Sequence, residues 1–546
     1  MRKLLVLFLL ALAPYGSAQR LTETIEVRVA NVDVVVTDRS GHPIQGLTKD
    51  DFELYENRKL QPITNFYEIR AEAPAAAASP SAPAEAPAPV VPSEMRQRSI
   101  VVFIDNSSIE PFRRNKAIDA ITLALDTLMR TGDDAMIVAF SQRTEVLQPF
   151  TSDRALLKRT LEGARKVTAA SSTISWQKNE VISVARNELS DATQHRKSAA
   201  EAYASSVGKA RAYADWRMQS ERQLLASLIR SVSMLSGIEG KKVLVFVGGE
   251  LEQTPGLDMF QIVDSMFTSI VRNMMPAVIR ENDKNMSIDL GKVATNANAI
   301  GVTMYMMDVL DRSRDSSDPG PTDPEITFTN ETNSYLSMAT LASSTGGTVL
   351  SGTANFGAAL DNIARDLGSY YSLGYRPGQG RVDRSITVKV KRPGAFVRSR
   401  RGYALKTAEQ QVEDHVIANA FHSTLKSDFP VTIETDKPEP FEKGLFKVKV
   451  TLTFPSTLTY LPSGEDLSGE FAVSFVTAAE DGSLSPVRTA VHQVKFPAQS
   501  ETEVKQKPFT HTTGLVVRGG TQTISVVVVD RVGARNGYAK ATIIAR

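Results

Sequence analysis

Branched apolar residues alternate with polar ones near the start of the chain. Val27, Val29, Val32, Val34 and Val36 predict a strand, residues 38–43 a turn, and Phe52, Leu54 and Tyr55 a second strand run. Residues 19–70 therefore read as a small N-terminal β module. The alternation then stops. Residues 71–93 are almost wholly Ala, Pro, Ser and Glu, which bury nothing, so residues 71–96 are expected to form an extended, semi-stiff linker.

A different pattern follows. Residues 99–105 (SIVVFID) form a continuous apolar run ending in a carboxylate, as a parallel strand buried on both faces requires. Residues 113–129 repeat apolar side chains at helical spacing (Ile118, Ile121, Leu125, Leu128), and residues 134–140 supply another strand. The alternation resumes with a helix over 224–235 stopped by Gly237, strands over 243–247 and 301–309, a short helix over 336–344, a small strand over 346–350 and a helix over 356–367. Such alternation specifies an α/β fold with a doubly wound parallel sheet and helices on both faces. Two stretches exceed the minimal pattern. Residues 179–223 read as a long helical arm, and residues 258–279 as a Met-rich helical stripe interrupted at Pro276. Both are expected to pack on the domain or on each other.

Beyond Tyr370 the chain turns β again. Residues 370–377 and 385–390 read as a hairpin-like pair closing a domain that spans 97–405. After a short helix over 409–421, Phe446, Val448, Val450, Leu452 and Phe454 alternate with Lys447, Lys449, Thr451 and Thr453, the pattern of a half-buried antiparallel strand. Similar runs up to residue 544 predict a C-terminal β-sandwich of about seven strands over 406–546.

Composition sharpens this outline. A chain of 546 residues is too long for one core. Its 63 basic and 61 acidic residues nearly cancel and are scattered, so nothing points to nucleic acid or an anionic membrane as partner. The absence of cysteine removes disulfides, thiol catalysis, thiolate metal sites and a lipid-modified cysteine. Arg2 and Lys3, the apolar stretch 4–13 and Gly16-Ser17-Ala18 form a signal peptide over 1–18, so export to a periplasmic or extracellular place is expected. No later segment approaches the roughly 20 apolar residues of a membrane helix, so no membrane span is expected.

Several segments resemble one family, the VWFA-related domain proteins that bacteria export, built around a von Willebrand factor A fold. VDVVVTDRSGHPIQGLTKDDFELYENRKLQPITNFYEI is similar to its leading module and SIVVFIDNSS to its first core strand. GDDAMIVAFSQRTEVLQPFTSD resembles its second helix-to-strand passage, and YYSLGYRP with RSITVKVKRPGAFVRSRRGY its closing segment. The resemblance covers most of residues 20–405. It implies a Rossmann-like VWA domain, here with a helical insertion, used for adhesion or complex assembly, and it brings no established reaction.

The resemblance also implies a place to look for a metal. Domains of this type often hold Mg²⁺ at the carboxyl ends of their strands through a D-x-S-x-S loop, a threonine from a second loop and an aspartate from a third. Mg²⁺ favours such hard oxygens in an octahedron and leaves one position for a partner's carboxylate. Here Asp105 and Ser107 match, but the third position falls on Ile109, and Ser108 lies one residue off, which turns its hydroxyl elsewhere unless the loop is distorted. Thr168 and Thr173 are the threonines near the second loop, and Glu250 stands where the aspartate belongs. The candidate metal ligands are thus Asp105, Ser107 and Glu250, with Mg²⁺ as the cofactor they would take, and the candidate binding residues are Ser108, Thr168 and Thr173. The preferred reading is metal-free, with Asp105 hydrogen-bonding the loop after its strand, because each missing ligand has to be replaced.

Other chemistries find less. The six histidines form no H-E-x-x-H pair, and His415 and His422 lie two turns apart on one helix, too far for joint ligation. No G-x-S-x-G elbow occurs. Residues 237–242 (GIEGKK) resemble a phosphate loop only superficially and read as a helix C-cap and turn. Asp50-Asp51 and Asp133-Asp134 fall in turns, where capping is commoner than acid/base work. The expectation is therefore an exported, non-catalytic adhesion or scaffold protein that binds a protein partner through the strand-end loops. The alternatives are a hydrolase or sugar-acting enzyme with a site at a domain junction, marked by a cleft with converging carboxylates, and a structural envelope component, marked by a flat, apolar strand-end face.

Overall fold

The computed structural model describes residues 30–70, 97–167, 171–271, 275–280, 284–309, 324–350, 356–378, 384–422 and 425–546. The expected signal peptide and the Ala/Pro linker lie outside these described residues.

Strands are numbered along the chain. The central sheet holds β5 (Arg98–Asp105), β6 (Asp134–Phe140), β7 (Thr144–Thr151), β8 (Lys241–Gly248), β9 (Val302–Asp308) and β10 (Val349–Leu350), in the order β10-β9-β8-β5-β6-β7. All neighbours are parallel except β7, which runs antiparallel to β6. Val101 lies opposite Leu244 in adjacent strands, as a single wound sheet demands. Every residue of β5 is buried, which explains its unbroken apolar run.

Successive side chains point to opposite faces. Ile100, Val102 and Ile104 pack under α1 (Pro111–Leu128), α2 (Arg154–Ala164) and α9 (Phe356–Gly368) through Ile121, Leu161 and Ile363. Val101 and Phe103 face the other way, towards α4 (Ala199–Ser233), α7 (Ser287–Ile300) and α8 (Pro324–Thr345) through Leu228, Val293 and Leu341. The protein thus has a mixed α/β layer whose mostly parallel sheet is covered on both faces, accompanied by several antiparallel sheets.

The two extra stretches pack on each other. α3 (Ser171–Thr193) and the first half of α4 form a helical hairpin, turned at His195 (φ +57°) and restarted by a capping box between Ser198 and Glu201. Val181, Tyr203, Val207 and Tyr213 enclose a core with Met259, Phe260 and Val263 of α5 (Leu257–Phe267) and Ala277 of the short α6 (Ala277–Arg280). α4 then runs on for 35 residues in all, so that its second half joins the sheet core.

The hairpin expected from residues 370–377 and 385–390 needs correction. The two runs do not pair with each other. β11 (Ser369–Tyr375) lies between β1 (Ala30–Thr37) and β4 (Ile63–Arg70), whereas β12 (Arg384–Val390) pairs with β2 (Phe52–Glu56), which also pairs with β3 (Lys59–Gln61). With β13 (Phe396–Ser399) and β14 (Gly402–Tyr403), two four-stranded sheets enclose Val32, Val34, Leu54, Leu373 and Ile386. The N-terminal module is completed by chain from beyond the α/β layer, because a few short strands alone bury too little to be stable.

The C-terminal part opens with α10 (Ala408–Phe421) and continues through nine strands, β15 (Thr432–Thr435) to β23 (Arg535–Ala545). They form two antiparallel sheets around Val450, Phe454, Val473 and Val526. The periodic runs are β17 (Leu445–Phe454) and β19 (Asp466–Ala479) to β23, and the short strands β15, β16 (Glu439–Glu442) and β18 (Leu461–Ser463) escape a periodicity reading, so the total exceeds the expected count of about seven. The unit docks on the α/β layer: His422 stacks on Phe150 with centroids 3.9 Å apart, and the Val146 amide donates to the Asp481 carbonyl at 3.0 Å. Among the described residues no helix is long and apolar enough to cross a membrane.

Candidate binding site at the strand ends

β5 delivers Asp105 to the carboxyl edge of the sheet, fully buried. One carboxylate oxygen accepts the Ser107 amide at 2.9 Å and the Ser107 hydroxyl, and the other accepts the Ser108 hydroxyl. Ser108 in turn accepts the Gly249 amide at 3.2 Å, which ties the loop after β5 to the loop after β8. The expected turning-away of Ser108 is thereby corrected: the tight bend lets two adjacent hydroxyls reach one carboxylate, and Ser108 is buried, with no face for a partner. Ile109, at the lost motif position, is wholly buried in the core under α1. Burial pushes the Asp105 carboxyl above its ordinary range, against the serine hydrogen bonds and the charge of Arg217.

Arg217 was not singled out from the sequence. It projects from α4, is 3% exposed, and donates to Glu221 at 2.6 Å and Glu252 at 2.9 Å, with Glu250 at 3.8 Å. Lys178 of α3 lies 3.4 Å from Glu250 and 3.0 Å from Asp258. Glu250 therefore spends its charge on two cations from the arm, which hold its carboxyl below the usual value in spite of burial. Glu252 moves the other way, and Glu221 is pushed up to about 8, in both cases chiefly by burial. More carboxylates than cations are gathered here, and burial of the excess favours their protonated forms.

This donor set does not fit a Mg²⁺ ion. The ion would need Asp105 and Glu250 free for coordination, whereas serine hydroxyls hold the first and a guanidinium with an ammonium hold the second. Among the described residues no group of three or more His, Asp or Glu is arranged to hold a metal.

Of the two candidate threonines, Thr168 lies outside the described residues. Thr173 stands exposed at the start of α3 and, with Ser107, Gln142, Trp216 and Arg217, lines a cleft of about 400 Å³ between the strand ends and the arm. Trp176, 60% exposed, follows Thr173 at the i,i+3 spacing that puts both on one side of the helix. The structure thus brings Ser107 and Thr173 to one surface and draws Asp105, Ser108 and Glu250 beneath it.

The histidines have structural places. The His415 Nδ1 meets the Tyr538 hydroxyl at 3.1 Å, and the His422 Nε2 meets the Met234 carbonyl at 3.0 Å. Asp133 is paired with buried Arg98.

No family model matches the chain, and no curated protein matches it. Solved structures similar to it include an aerotolerance-related membrane protein of Bacteroides fragilis (12% identity over 49% of this chain and 98% of that one, TM-score 0.24). BatB of Bacteroides thetaiotaomicron, a conserved hypothetical protein, is 13% identical over 49% of this chain and 96% of its own, with TM-score 0.24. The three N-terminal domains of the pilus tip protein Mfa5 of Porphyromonas gingivalis match over 94% of this chain and 77% of that one, at 10% identity and TM-score 0.24. Likenesses at this level carry no argument about role.

Proposed function

We propose that this is an exported, non-catalytic binding protein whose central layer is a von Willebrand factor A-type domain working without a metal. A protein partner is engaged at the cleft between the strand-end loops and the helical arm. The observation that carries the reading is the open, mixed polar and aromatic cleft lined by Ser107, Thr173 and Trp216, set directly over a carboxylate cluster that is paired from within by Arg217 and Lys178. Ligand-binding crevices of wound α/β sheets lie at these strand ends. Half-buried aromatic side chains beside neutral amides and hydroxyls are the composition of a protein-recognition patch.

The alternatives draw less support. Carboxylates do converge at the strand ends, but they are buried and paired instead of facing a substrate, and at the junction between the first sandwich and the α/β layer Asp33 and Glu239 stand beside Lys242 and Arg400, with Asp33 held by Lys241. The strand-end face is a concave cleft of mixed polar and apolar lining, unlike the flat apolar face of a self-assembling wall component.

The test is site-specific photo-crosslinking in the full exported chain, with the crosslinker at Trp176 or Gln142 and, as control, at exposed Leu60 in the first sandwich. A discrete adduct at the first two positions, absent at Leu60 and unaffected by EDTA, is expected. No adduct at either position, or one that EDTA abolishes, overturns the proposal.

A further inference from the structure

At the opposite end of the sheet, where β8 and β9 begin, a cavity of about 520 Å³ opens between the α/β layer and the first sandwich. Asn31, Asp33 and Arg400 line it from the sandwich side and Lys242 from the start of β8. Lys242 is the last residue of the glycine-containing turn that resembles a phosphate loop, here the connection from α4 to β8.

The charges on this wall are unevenly matched. Asp33 is committed to Lys241, whose ammonium lies 2.8 Å away. Arg400, 9% exposed, donates to the Asn298 carbonyl at 2.9 Å and the Asn31 carbonyl at 2.6 Å and lies 5.1 Å from the centre of the Tyr403 ring. Its Nε is buried without a hydrogen-bond partner. Lys242 donates to the Ile238 carbonyl at 2.7 Å. The hydrogen bonds of both cations go to neutral carbonyls, and of the two carboxylates on the cavity wall, Asp33 and Glu239, the first is held by Lys241. Burial and mutual repulsion pull the Lys242 ammonium down to about 8, with Asp33 and Glu239 opposing and Arg400 and Lys241 reinforcing the shift, and burial lowers Arg400 as well. Holding buried Arg400 and half-buried Lys242 close together on neutral acceptors is costly, and an arriving anion would offset that cost. The volume exceeds what a bare ion fills and lies in the range of small-molecule sites.

We propose that this cavity is a binding site for a small oxyanion-bearing molecule, a phosphate or carboxylate, with Arg400 and Lys242 as the groups that hold the anion. The second protons of the two Arg400 terminal nitrogens and the remaining ammonium protons of Lys242 are the donors, so the contacts are charge-assisted hydrogen bonds.

The experiment is calorimetric titration of the full chain with inorganic phosphate, sulfate and acetate in turn, at constant ionic strength set by chloride. Wild type is compared with Lys242→Met and Arg400→Gln. Wild type is expected to bind at least one of the three, about tenfold more weakly in Lys242→Met and without measurable heat in Arg400→Gln. Preference for phosphate and sulfate over acetate assigns a phosphate-type ligand, and the reverse a carboxylate. Affinity should also fall as pH rises through 8 in wild type and not in Lys242→Met, a readout that survives if Arg400→Gln fails to fold. No heat in wild type with any of the anions, or equal heat in wild type and Lys242→Met, overturns the assignment.

Discussion

Replacing Arg217 by methionine tests the internal neutralisation of the strand-end cluster most directly. The substitution keeps most of the side-chain volume and removes the guanidinium that bonds Glu221 at 2.6 Å and Glu252 at 2.9 Å in a site where Arg217 is 3% exposed. Taking one partner from a buried ion pair costs about 3–5 kcal/mol, because the survivors keep their desolvation penalty and lose its compensation. For a unit of about 200 residues, 1 kcal/mol moves the midpoint by roughly 2–4 °C, so a fall on the order of 10 °C is expected at pH 8. The loss must depend on pH. Glu221 is pushed from 4.5 to about 8 in the folded protein, so between those values the folded state holds a proton that the unfolded chain has released. Wild-type stability therefore already declines as pH rises through that window, by at most about 1.4 kcal/mol per pH unit. Without Arg217 the orphaned carboxylates rise further and the decline steepens; at pH 5 they are protonated and most of the loss disappears. Differential scanning calorimetry at pH 5, 6.5 and 8 reads this, with Arg217→Lys losing less than Arg217→Met because it keeps the charge and loses only the fork. A midpoint unchanged at pH 8, or a loss of equal size at pH 5 and pH 8, refutes the reasoning.

Magnesium titrated into the wild-type chain should give only heat of dilution; heat that Asp105→Ala abolishes would restore the metal-dependent reading. His415 and His422, both lowered from 6.5 to about 4 by burial, stay neutral in the folded protein while the unfolded chain takes up protons. Docking of the C-terminal unit is thus fully stable above pH 6.5 and weakens as pH falls towards 4, each histidine contributing up to about 1.4 kcal/mol per pH unit, and limited proteolysis at pH 7.5 and 5 should release that unit only at the lower pH. An identical proteolytic pattern of the wild-type chain at both values would contradict this, and His422→Gln should narrow the difference between them. Gly347→Ala should be among the most damaging single changes, because its Cβ would lie 1.9 Å from the Met304 carbonyl oxygen of β9, and a soluble, cooperatively melting variant would count against the packing.

What the chain discloses about itself follows the range of each interaction. β5 was legible because burial on both faces leaves an unbroken apolar run, and the helix over 111–128 because its face repeats at Ile118, Ile121 and Leu125. The partner of a strand is not written in its alternation. Leu373 pairs with Val32 from beyond the whole α/β layer, and an alternating strand serves equally well in a hairpin with its neighbour or in a remote sheet, so only tertiary packing decides. The site divides the same way. Asp105 and Ser107 stand in a local motif and were found. Arg217 and Lys178 reach the strand ends from an inserted arm, and their charges looked like ordinary solvated surface. One signal was present: Arg217 and Glu221 stand four residues apart within a stripe that otherwise holds Tyr213, Ala214, Leu224 and Leu228. A charged pair in an apolar stripe belongs either to a misread face or to a buried network.

The unbroken course of α4 links these observations into one mechanical unit. Its first half builds the arm with Tyr203, Val207 and Tyr213, its second half packs Leu228 and Val232 against the sheet, and Arg217 and Glu221 lie between the two cores. The helix carries no proline and its one glycine, Gly208, is far from this junction, so it has no hinge of its own there. Moving the arm away from the strand ends would therefore either bend a regular helix or draw Arg217 out of its carboxylates, at the cost already reckoned for removing it. A partner that enters the cleft meets a wall held in place by a buried charge network. Its affinity then depends on how well its surface fits Ser107, Thr173 and Trp216 as they stand, and little on any rearrangement it could induce.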